Sequence, residues 1–459
     1  MSEIMMCNGV VITGGIKPKV INDGAVVWSN DRIKAVGELN ALAKQYPHAK
    51  KIDAKGGMIL PGFVNLHHHF YSAFARGLNP GKNMKNFTEV LDRLWWRLDR
   101  ALHDNAVKLS AELTLADCIR HGCTTFFDHH ASPACLKGSL DRIAEVSESA
   151  GLRALLCYEV TDRNGHKEAL AGIEENVRFM MTRKKSTRIR GTMGLHASFT
   201  LRDETLQLAA KKLEELAEGN ESPGCHIHMA EDLADVKESL KMFGATPIDR
   251  LKQFGLLGKR TLLAHGVHLS SEQLKLAADH DATIIHNPES NANNGVGRFD
   301  PVRAIDAGVL VGLGTDGMSS SMLRSLRAAF LMHRAALKDP SVGFTGLPDL
   351  MFKNAALTAR RFFPEPQLGE LAPGAPADIA VIDCSPPTTI SDENWFGHIL
   401  YGASEYPVRH TIGNGRILFE NFEFKTIDSE RITHEAHTLA PDIWKRFQET
   451  SDGTPLLGL

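Results

Sequence analysis

Eight short apolar segments, each followed by a polar or helix-starting stretch, constrain the fold of this chain more than any other feature of its sequence. They are GMILPGFVN (57–65), CTTFFD (123–128), LRALLCYE (152–159), GTMGLH (191–196), GCHIHM (224–229), TLLAHG (261–266), ATIIHN (282–287) and GVLVGLGTD (308–316). Apolar strands that alternate with longer helical patterns are typical of parallel βα units. The sequence therefore predicts an α/β protein built on a (β/α)₈ TIM-like barrel.

The two ends of the chain show a different pattern, in which short β segments are separated by turn residues. Asn30 and Asp31 mark a hairpin turn near the N-terminus, and the Asn414–Gly415 pair favours a tight turn near the C-terminus. We expect both ends to meet in a small β-sandwich domain. Residues 1–59 and 367–459 would form this domain, with the barrel over 60–366 between them and a surface helix near the C-terminus.

The composition argues for a small-molecule ligand. The chain has 459 residues, of which 43% are hydrophobic and 23% charged, and its formal net charge is −3. It therefore lacks the cationic field that binds nucleic acid or an anionic membrane surface. No apolar run reaches the roughly eighteen residues of a membrane span. Seven cysteines without a C-x-x-C pair indicate a reducing, cytoplasmic compartment.

Histidines and an aspartate stand at the C-terminal ends of predicted strands, on the face of a barrel where active sites form. After the first strand, alternation puts His67 and His69 on one side and His68 on the other, where we expect a structural role. His228 ends the fifth strand, and Asp316 ends the eighth after an apolar run that would bury its charge. We predict that His67, His69, His228 and Asp316 bind a divalent metal. The alternatives are a His-rich turn, a core histidine and a helix-capping aspartate.

The same strand ends provide candidate catalytic residues. Glu231 follows His228 by three residues and His265 ends the sixth strand, so we predict that Glu231, His265 and Asp316 are catalytic. The alternatives are a carboxylate at a helix N-terminus and a hydrogen-bonded core histidine. Three imidazoles and one carboxylate suit Zn²⁺, which the affinity order favours, but also Fe²⁺ or Mn²⁺.

Longer motifs surround these residues. They are PGFVNLHHH (61–69), HGCTTFFDHH (121–130), LHASFT (195–200), HIHMAED (226–232), LLAHGVHLS (262–270), IIHNPESNANN (284–294), GLGTDG (312–317) and LGELAPGAPADIAVID (368–383). Through them the chain resembles the amidohydrolase superfamily, and within it the cytosine/guanine deaminase and atrazine chlorohydrolase-like group. FYSAFARG, LWWRLDRAL, DHHASP and TDRNG are most similar to its SsnA-type aminohydrolases. The resemblance implies a homo-oligomer, a dimer or larger. It also implies one metal, because GTMGLHASFT lacks the lysine that bridges two metals in some relatives.

Substrate contacts are predicted around the metal. The residues are His196, Ser72, Trp95, Trp96, Arg97, His130, Ser198 and Glu289. The tryptophans could alternatively pack a helix. Guanine-type relatives tend to carry a glutamine where this chain has Ser72, so guanine recognition is not expected. Many relatives have a small residue at the position of Glu289. The Glu289 carboxylate would accept a hydrogen bond from a substrate amine.

The predicted function is hydrolytic deamination of an amino-substituted N-heterocycle of the purine, pteridine, pyrimidine or triazine type. Hydroxide generated at the metal would attack a ring carbon, and ammonia would leave. One alternative is a cyclic amidohydrolase or chlorohydrolase acting on a similar ring. An alternative of another class is a non-catalytic, metal-containing binding protein, although a structural metal site is normally closed and would not need Glu231 and His265 beside it.

Overall fold

The computed structural model describes residues 3–219 and 221–452. Its strands, numbered in chain order, are β1 (Ile4–Ile12), β2 (Val20–Ser29), β3 (Arg32–Glu38), β4 (Lys50–Asp53), β5 (Met58–Pro61), β6 (Phe63–His68), β7 (Cys123–His130), β8 (Arg153–Tyr158), β9 (Ile189–Gly191), β10 (Met193–Ala197), β11 (Cys225–Met229), β12 (Leu262–His265), β13 (Thr283–His286), β14 (Leu310–Leu313), β15 (Ile379–Ile382), β16 (Val408–Gly413), β17 (Arg416–Glu420) and β18 (Glu423–Phe424). Its α-helices are α1 (Leu39–Gln45), α2 (Phe87–Val90), α3 (Trp96–Ala101), α4 (Asp104–Arg120), α5 (Ser139–Ala150), α6 (His166–Arg183), α7 (Asp203–Leu216), α8 (Leu233–Phe243), α9 (Pro247–Gln253), α10 (Ser271–Asp279), α11 (Pro288–Asn293), α12 (Pro301–Asp306), α13 (Met322–Leu337), α14 (Leu347–Phe352), α15 (Asn354–Arg360), α16 (Trp395–Tyr401) and α17 (Ser429–Glu449).

Strands from the two chain ends form one mixed sheet in the order β18-β17-β16-β15-β5-β1-β2-β3, with β4 paired to β1. The N-terminal and C-terminal parts meet where β15 pairs antiparallel with β5. As predicted, Asn30 and Asp31 connect β2 to β3, and Asn414 and Gly415 connect β16 to β17. The expectation that the ends fold together is confirmed, and their strands form a single hydrogen-bonded sheet rather than two separate ones.

The middle of the chain forms two parallel sheets, β6-β7-β8-β9 and β10-β11-β12-β13-β14. Isolated parallel bridges join these sheets at both edges, between Val160 and Leu195 and between His68 and Asp316. Next to the second bridge, the backbone N–H of Asp316 donates to the His67 carbonyl at 2.9 Å. Parallel strands that alternate with helices give the TIM-barrel-like architecture that the sequence predicts.

Two predicted barrel strands are divided. The segment 57–65 contains β5 of the mixed sheet and the start of β6 of a parallel sheet. The break falls at Gly62, where a Cβ would lie 2.3 Å from the Oγ1 atom of Thr124, so this close approach requires glycine. The segment 191–196 covers the end of β9, which pairs with β8, and most of β10, which pairs with β11. Apolar runs alone did not reveal these changes of partner.

The mixed sheet and the barrel share one apolar core. Met58, Leu60 and Ala380 of the mixed sheet belong to the same buried cluster as Phe63 and Cys123 of the barrel. The predicted C-terminal helix is α17, which packs against α3 and α4. Within residues 3–219 and 221–452, no helix combines the length and the apolar character that crossing a bilayer requires.

Candidate active site

The ends of β6 and β14 bring the first and last predicted metal ligands together. His67 lies near the end of β6, and His69 is the first residue after this strand. The intervening His68 has a different environment, with its Nε2 atom 3.2 Å from Ser320 Oγ. A Cβ at Gly314 would lie 2.9 Å from the Cβ of His67, so a larger residue at this position, two before Asp316, would push the two strand ends apart.

The four predicted ligands are buried and lie next to one another. His69 Nε2 lies 3.1 Å from His228 Nε2 and 3.1 Å from Asp316 Oδ1. His67 Nε2 lies 3.8 Å from the same Asp316 oxygen. Tetrahedral ligands bound at about 2.1 Å would be separated by roughly 3.4 Å. His67, His69 and Asp316 are therefore spaced closely enough for one ion, and His228 lies beside His69.

The ligand imidazoles are oriented through their Nδ1 atoms. The Nδ1 atoms of His69 and His228 donate to backbone carbonyls at 2.6 and 2.9 Å. The Nδ1 atom of His67 lies 2.9 Å from Nε2 of His226. Metal-binding histidines are commonly fixed in this way, with the second ring nitrogen left for the ion. The Nε2 atoms are therefore the ones available for binding.

The chemistry of these residues fits a cation. His67 Nε2 is buried and has no hydrogen-bond partner among the described residues, which is uncommon for a buried polar atom. Burial lowers the pKa of His69, but the hydrogen bond and charge of Asp316 outweigh it and raise this pKa to about 9. Burial raises the pKa of Asp316, but His69 holds it well below its usual value. Both pKa shifts therefore favour a positive charge next to the Asp316 carboxylate.

The predicted catalytic residues lie beside this point. His265 Nε2 is 3.5 Å from Glu231 Oε2 and 3.9 Å from Asp316 Oδ2. The Nδ1 atom of His265 lies 2.8 Å from the amide oxygen of Asn291, which fixes the ring. Burial, and then the charge of Asp316, raise the pKa of Glu231 well above its usual value. Glu231 is therefore a carboxyl group that keeps its proton to a higher pH than an exposed glutamate does.

Three residues at these strand ends have left-handed backbone conformations, with φ of 45° at Ala230, 73° at His265 and 54° at Asp316. Such conformations are costly for residues other than glycine and are often found at functional sites. The Asp235 carboxylate accepts the N–H of Ala230 at 2.9 Å and thereby holds the turn that carries Glu231. The surrounding structure thus maintains the strained geometry.

The site opens into a cleft-like cavity whose empty space, together with the solvent at its mouth, is about 610 Å³. The residues that line it are His69, Tyr71, Phe87, Leu91, Trp95, Trp96, Glu159, His196, Ala197, Phe199, His228, Glu231, Asp235, Asn294 and Asp316. A short π-helical turn, Leu91–Trp95, contributes two of the apolar side chains. Aromatic walls around a few polar groups suit a planar ligand.

Three predicted substrate contacts, His196, Trp95 and Trp96, line this cavity, whereas five others have different surroundings. Arg97 binds the end of α17 through the carbonyls of Phe447 and Thr450.

The other four predicted contacts have protein neighbours. Ser198 Oγ accepts a hydrogen bond from Arg250, and His130 Nε2 lies 2.8 Å from Ser132 Oγ. Glu289 accepts a hydrogen bond from Ser319, and Ser72 is buried against Gly317. These residues do not line the cavity, because the packing of loops and helices, rather than strand alternation, decides where they point.

Several lining residues were not predicted from the sequence, and Glu159 is the most notable. It directly follows β8, and its Oε2 atom lies 3.3 Å from Nδ1 of the buried His129. The predicted third strand ended in LLCYE, so the rule that strand ends carry the chemistry would have selected this carboxylate.

Comparisons with known proteins agree with this geometry. Residues 58–418 match the profile of the Amidohydrolase family. A 5-methylthioadenosine/S-adenosylhomocysteine deaminase from Thermococcus onnurineus is 30% identical over 422 residues, which cover 91% of this chain and 94% of the relative. The chain therefore belongs to the amidohydrolase family.

Solved structures show the same fold. An adenosine deaminase from Xanthomonas campestris with bound zinc superimposes with a TM-score of 0.82 at 20% identity, over 98% of this chain and 99% of the other. A triazine hydrolase from Arthrobacter aurescens gives a TM-score of 0.80 at 23% identity, over 96% and 100%. These structures show the fold, while the family match and the deaminase relative indicate a hydrolase of carbon–nitrogen bonds.

Proposed function

We propose that the protein is a metal-dependent hydrolytic deaminase that releases ammonia from an amino-substituted N-heterocycle. The observation that carries this proposal is the juxtaposition of a buried, proton-holding carboxyl group, Glu231, with the convergent ligand set at the bottom of an aromatic cavity. The name of the Thermococcus relative, a deaminase, supports the same reaction.

His67, His69, His228 and Asp316 would hold one divalent metal, for which Zn²⁺ is the best match to the donor set. When bound, such an ion lowers the pKa of water towards neutrality. The zinc in the Xanthomonas structure supports this choice of metal.

Two carboxyl groups of the protein then carry out the proton transfers, one as a base and the other as an acid. Asp316 accepts a proton from the attacking water, whose oxygen bonds to the ring carbon that carries the amine. Ser290 Oγ donates to Asp316 Oδ2 and keeps this carboxylate in place. His265 lies between Asp316 and Glu231 and stabilises the negative charge that develops during attack.

Glu231 supplies the acid function. It protonates the ring nitrogen next to the attacked carbon, so that a tetrahedral adduct forms without separated charge. The carbon–nitrogen bond then breaks as the amine takes up the proton held by Asp316 and leaves as ammonia. The hydroxyl of the adduct returns a proton to Glu231, and the ring carbon becomes a carbonyl. General acid–base catalysis of this kind contributes roughly 10²- to 10⁴-fold to a rate.

The aromatic lining would hold the ring and exclude water. Trp95, Trp96 and Tyr71 present flat surfaces to the cavity, and His196 adds a polar atom at its wall. The metal-loaded protein should therefore turn over planar heterocycles in preference to flexible amides.

The test is ammonia release by the zinc-loaded protein from aminopurines, aminopteridines, aminopyrimidines, aminotriazines, 5-methylthioadenosine and S-adenosylhomocysteine. We expect ammonia from one ring class and none from the Asp316→Ala blank. Ring opening in place of ammonia release, or chloride release from a chloro-substituted aminotriazine added to the panel, would replace deamination by the alternative hydrolyses. A panel that stays chemically unchanged would overturn the proposal.

A Glu231→Gln variant tests the acid directly. We expect it to retain one metal per chain while turnover falls by at least about 10²-fold, because the amide cannot donate the required proton. Glu365→Gln is the matched control, since Glu365 is equally buried but pairs with Arg32 outside the cavity. Full turnover by metal-replete Glu231→Gln would remove Glu231 from the mechanism.

A further inference from the structure

A second carboxylate faces the cavity and has no task in the reaction described above. Glu159 directly follows β8, is only 4% exposed and lines the same cavity as Glu231. Glu231 faces His265 and Asp316, whereas Glu159 lies near His129 and His196. The cavity therefore contains two acidic groups in different surroundings.

One oxygen of Glu159 is available to a ligand. Oε2 lies 3.3 Å from Nδ1 of His129. Oε1 lies 3.9 Å from His196 Nε2 and 4.0 Å from Arg163 Nη2, which is longer than a hydrogen bond. Among the described residues no donor lies within hydrogen-bond distance of Oε1, so this oxygen of a cavity-lining carboxylate can accept a hydrogen bond from a ligand.

A buried ion-pair network accounts for the presence of a carboxylate at this place. Arg163 is itself buried, forms an ion pair with Asp99 and lies 5.1 Å over the ring of Trp96. Its charge is thus near Glu159 but directed to Asp99. This arrangement compensates the buried charge of Glu159 without occupying its Oε1 atom.

His196 supplies a second acceptor beside Glu159. The Thr200 hydroxyl donates its proton to the Ala197 carbonyl at 3.0 Å, so its oxygen accepts from Nδ1–H of His196 at 2.6 Å. In the neutral ring the lone pair is then on Nε2, 3.9 Å from Glu159 Oε1. Two hydrogen-bond acceptors therefore stand side by side at the cavity.

We propose that Glu159, together with His196, binds a donor edge of the heterocycle, a second amino group distinct from the amine that leaves. The inference rests on the proposed deaminase function and narrows its substrates to rings that carry such an edge. A charged acceptor in a buried aromatic site strongly favours a donor and disfavours a ring edge that has only acceptors. Glu159 is thus a specificity-determining residue.

The experiment measures equilibrium binding in a zinc-loaded Glu231→Gln background, where turnover is suppressed. Quenching of tryptophan fluorescence reports the binding of adenine and 2,6-diaminopurine, which share the amine at one position and differ by a second amino group. We expect the diamino compound to bind about 10- to 100-fold more tightly, as a hydrogen bond to a charged group allows. Adding Glu159→Gln should abolish this preference, and adding Glu365→Gln should not.

Two further measurements keep the result interpretable. Glu159→Asp retains the charge near Arg163 and should reduce the preference only in part, which separates recognition from loss of folding. Metal analysis should give the same zinc content with and without Glu159→Gln. A lower content would assign Glu159 to a cation site with His69, His129 and His228, which also lie within reach of one another, and would overturn the proposal.

Failure of this inference is distinguishable from failure of the deaminase proposal. Equal binding of the two purines, or a preference that survives Glu159→Gln, would overturn the role of Glu159 even if ammonia is released. A preference that depends on Glu159, without ammonia release from any compound, would support the recognition site and contradict deamination.

Discussion

At the scale of single residues, the site separates two buried carboxyl groups by their surroundings. Burial and the negative charge of Asp316 raise the pKa of Glu231, whereas contacts with His69 outweigh burial at Asp316 and lower its pKa. When the pKa values of two neighbouring acids are shifted in opposite directions, one serves as the acid and the other as the base. The division of roles thus follows from neighbours and not from residue type.

This division predicts a pH dependence. Glu231 must be protonated to act, so kcat/KM should stay high below its raised pKa and fall as the pH rises through that value. The decline should be absent from the residual activity of Glu231→Gln, measured on the zinc-loaded enzyme with its metal content checked at each pH. An unchanged alkaline decline in the variant would assign the decline to another group.

At the scale of elements, helix α17 packs against α3 and holds this helix, which carries Trp96 of the cavity wall, in place. Arg97 of α3 donates from Nη2 to the Phe447 carbonyl at 2.9 Å and from Nε to the Thr450 carbonyl at 3.0 Å. The last carbonyls of a helix lack partners within the helix, and a positive charge is favourable there. Trp444 adds a hydrogen bond to the Phe74 carbonyl at 2.9 Å. The C-terminal helix is therefore part of the support for the cavity.

Arg97→Ala should accordingly act on stability. We expect the free energy of unfolding to fall by about 1.5–3 kcal/mol, because hydrogen bonds from a charged group are lost. Urea unfolding measures the change, and limited proteolysis should show earlier cleavage near the end of α17. Arg97→Lys should be intermediate, since an ammonium group cannot reproduce the planar fork. A raised KM with unaltered stability would instead restore the substrate role predicted from the sequence.

At the scale of the whole molecule, the candidate metal site joins the two parallel sheets. His67 and His69 come from the end of β6 in one sheet, and His228 and Asp316 come from β11 and the end of β14 in the other. A bound ion would therefore link the two sheets near the His68–Asp316 bridge. We propose that metal binding and global folding are coupled for this reason.

Removal of the metal should lower the thermal midpoint of unfolding. An ion that binds only the folded state stabilises it by about 4 kcal/mol when its free concentration is a thousand times its Kd. Calorimetry before and after chelation, and again after zinc is restored, measures this effect. Asp316→Ala should show a much smaller response to zinc. The same large response in that variant would place the metal elsewhere.

The sequence by itself predicted most of the strand ends that carry the candidate ligands and acids. Strand alternation is a local property of the backbone, so it put His67 and His69 on one side before any tertiary contact was known. The same reasoning selected His228, Glu231, His265 and Asp316, which the structure brings together. Turn-forming residues, Asn30–Asp31 and Asn414–Gly415, likewise located two hairpins of the mixed sheet.

Only the tertiary structure decided which helix and loop residues face the cavity. Arg97 points to a helix end 350 residues further along the chain, and the sequence near Arg97 contains no trace of that contact. Glu159 faces the cavity beside an ion pair that unites Asp99 with Arg163, another contact between distant residues. Long-range packing fixes such directions, because each depends on how separate elements come together rather than on the local repeat of the backbone.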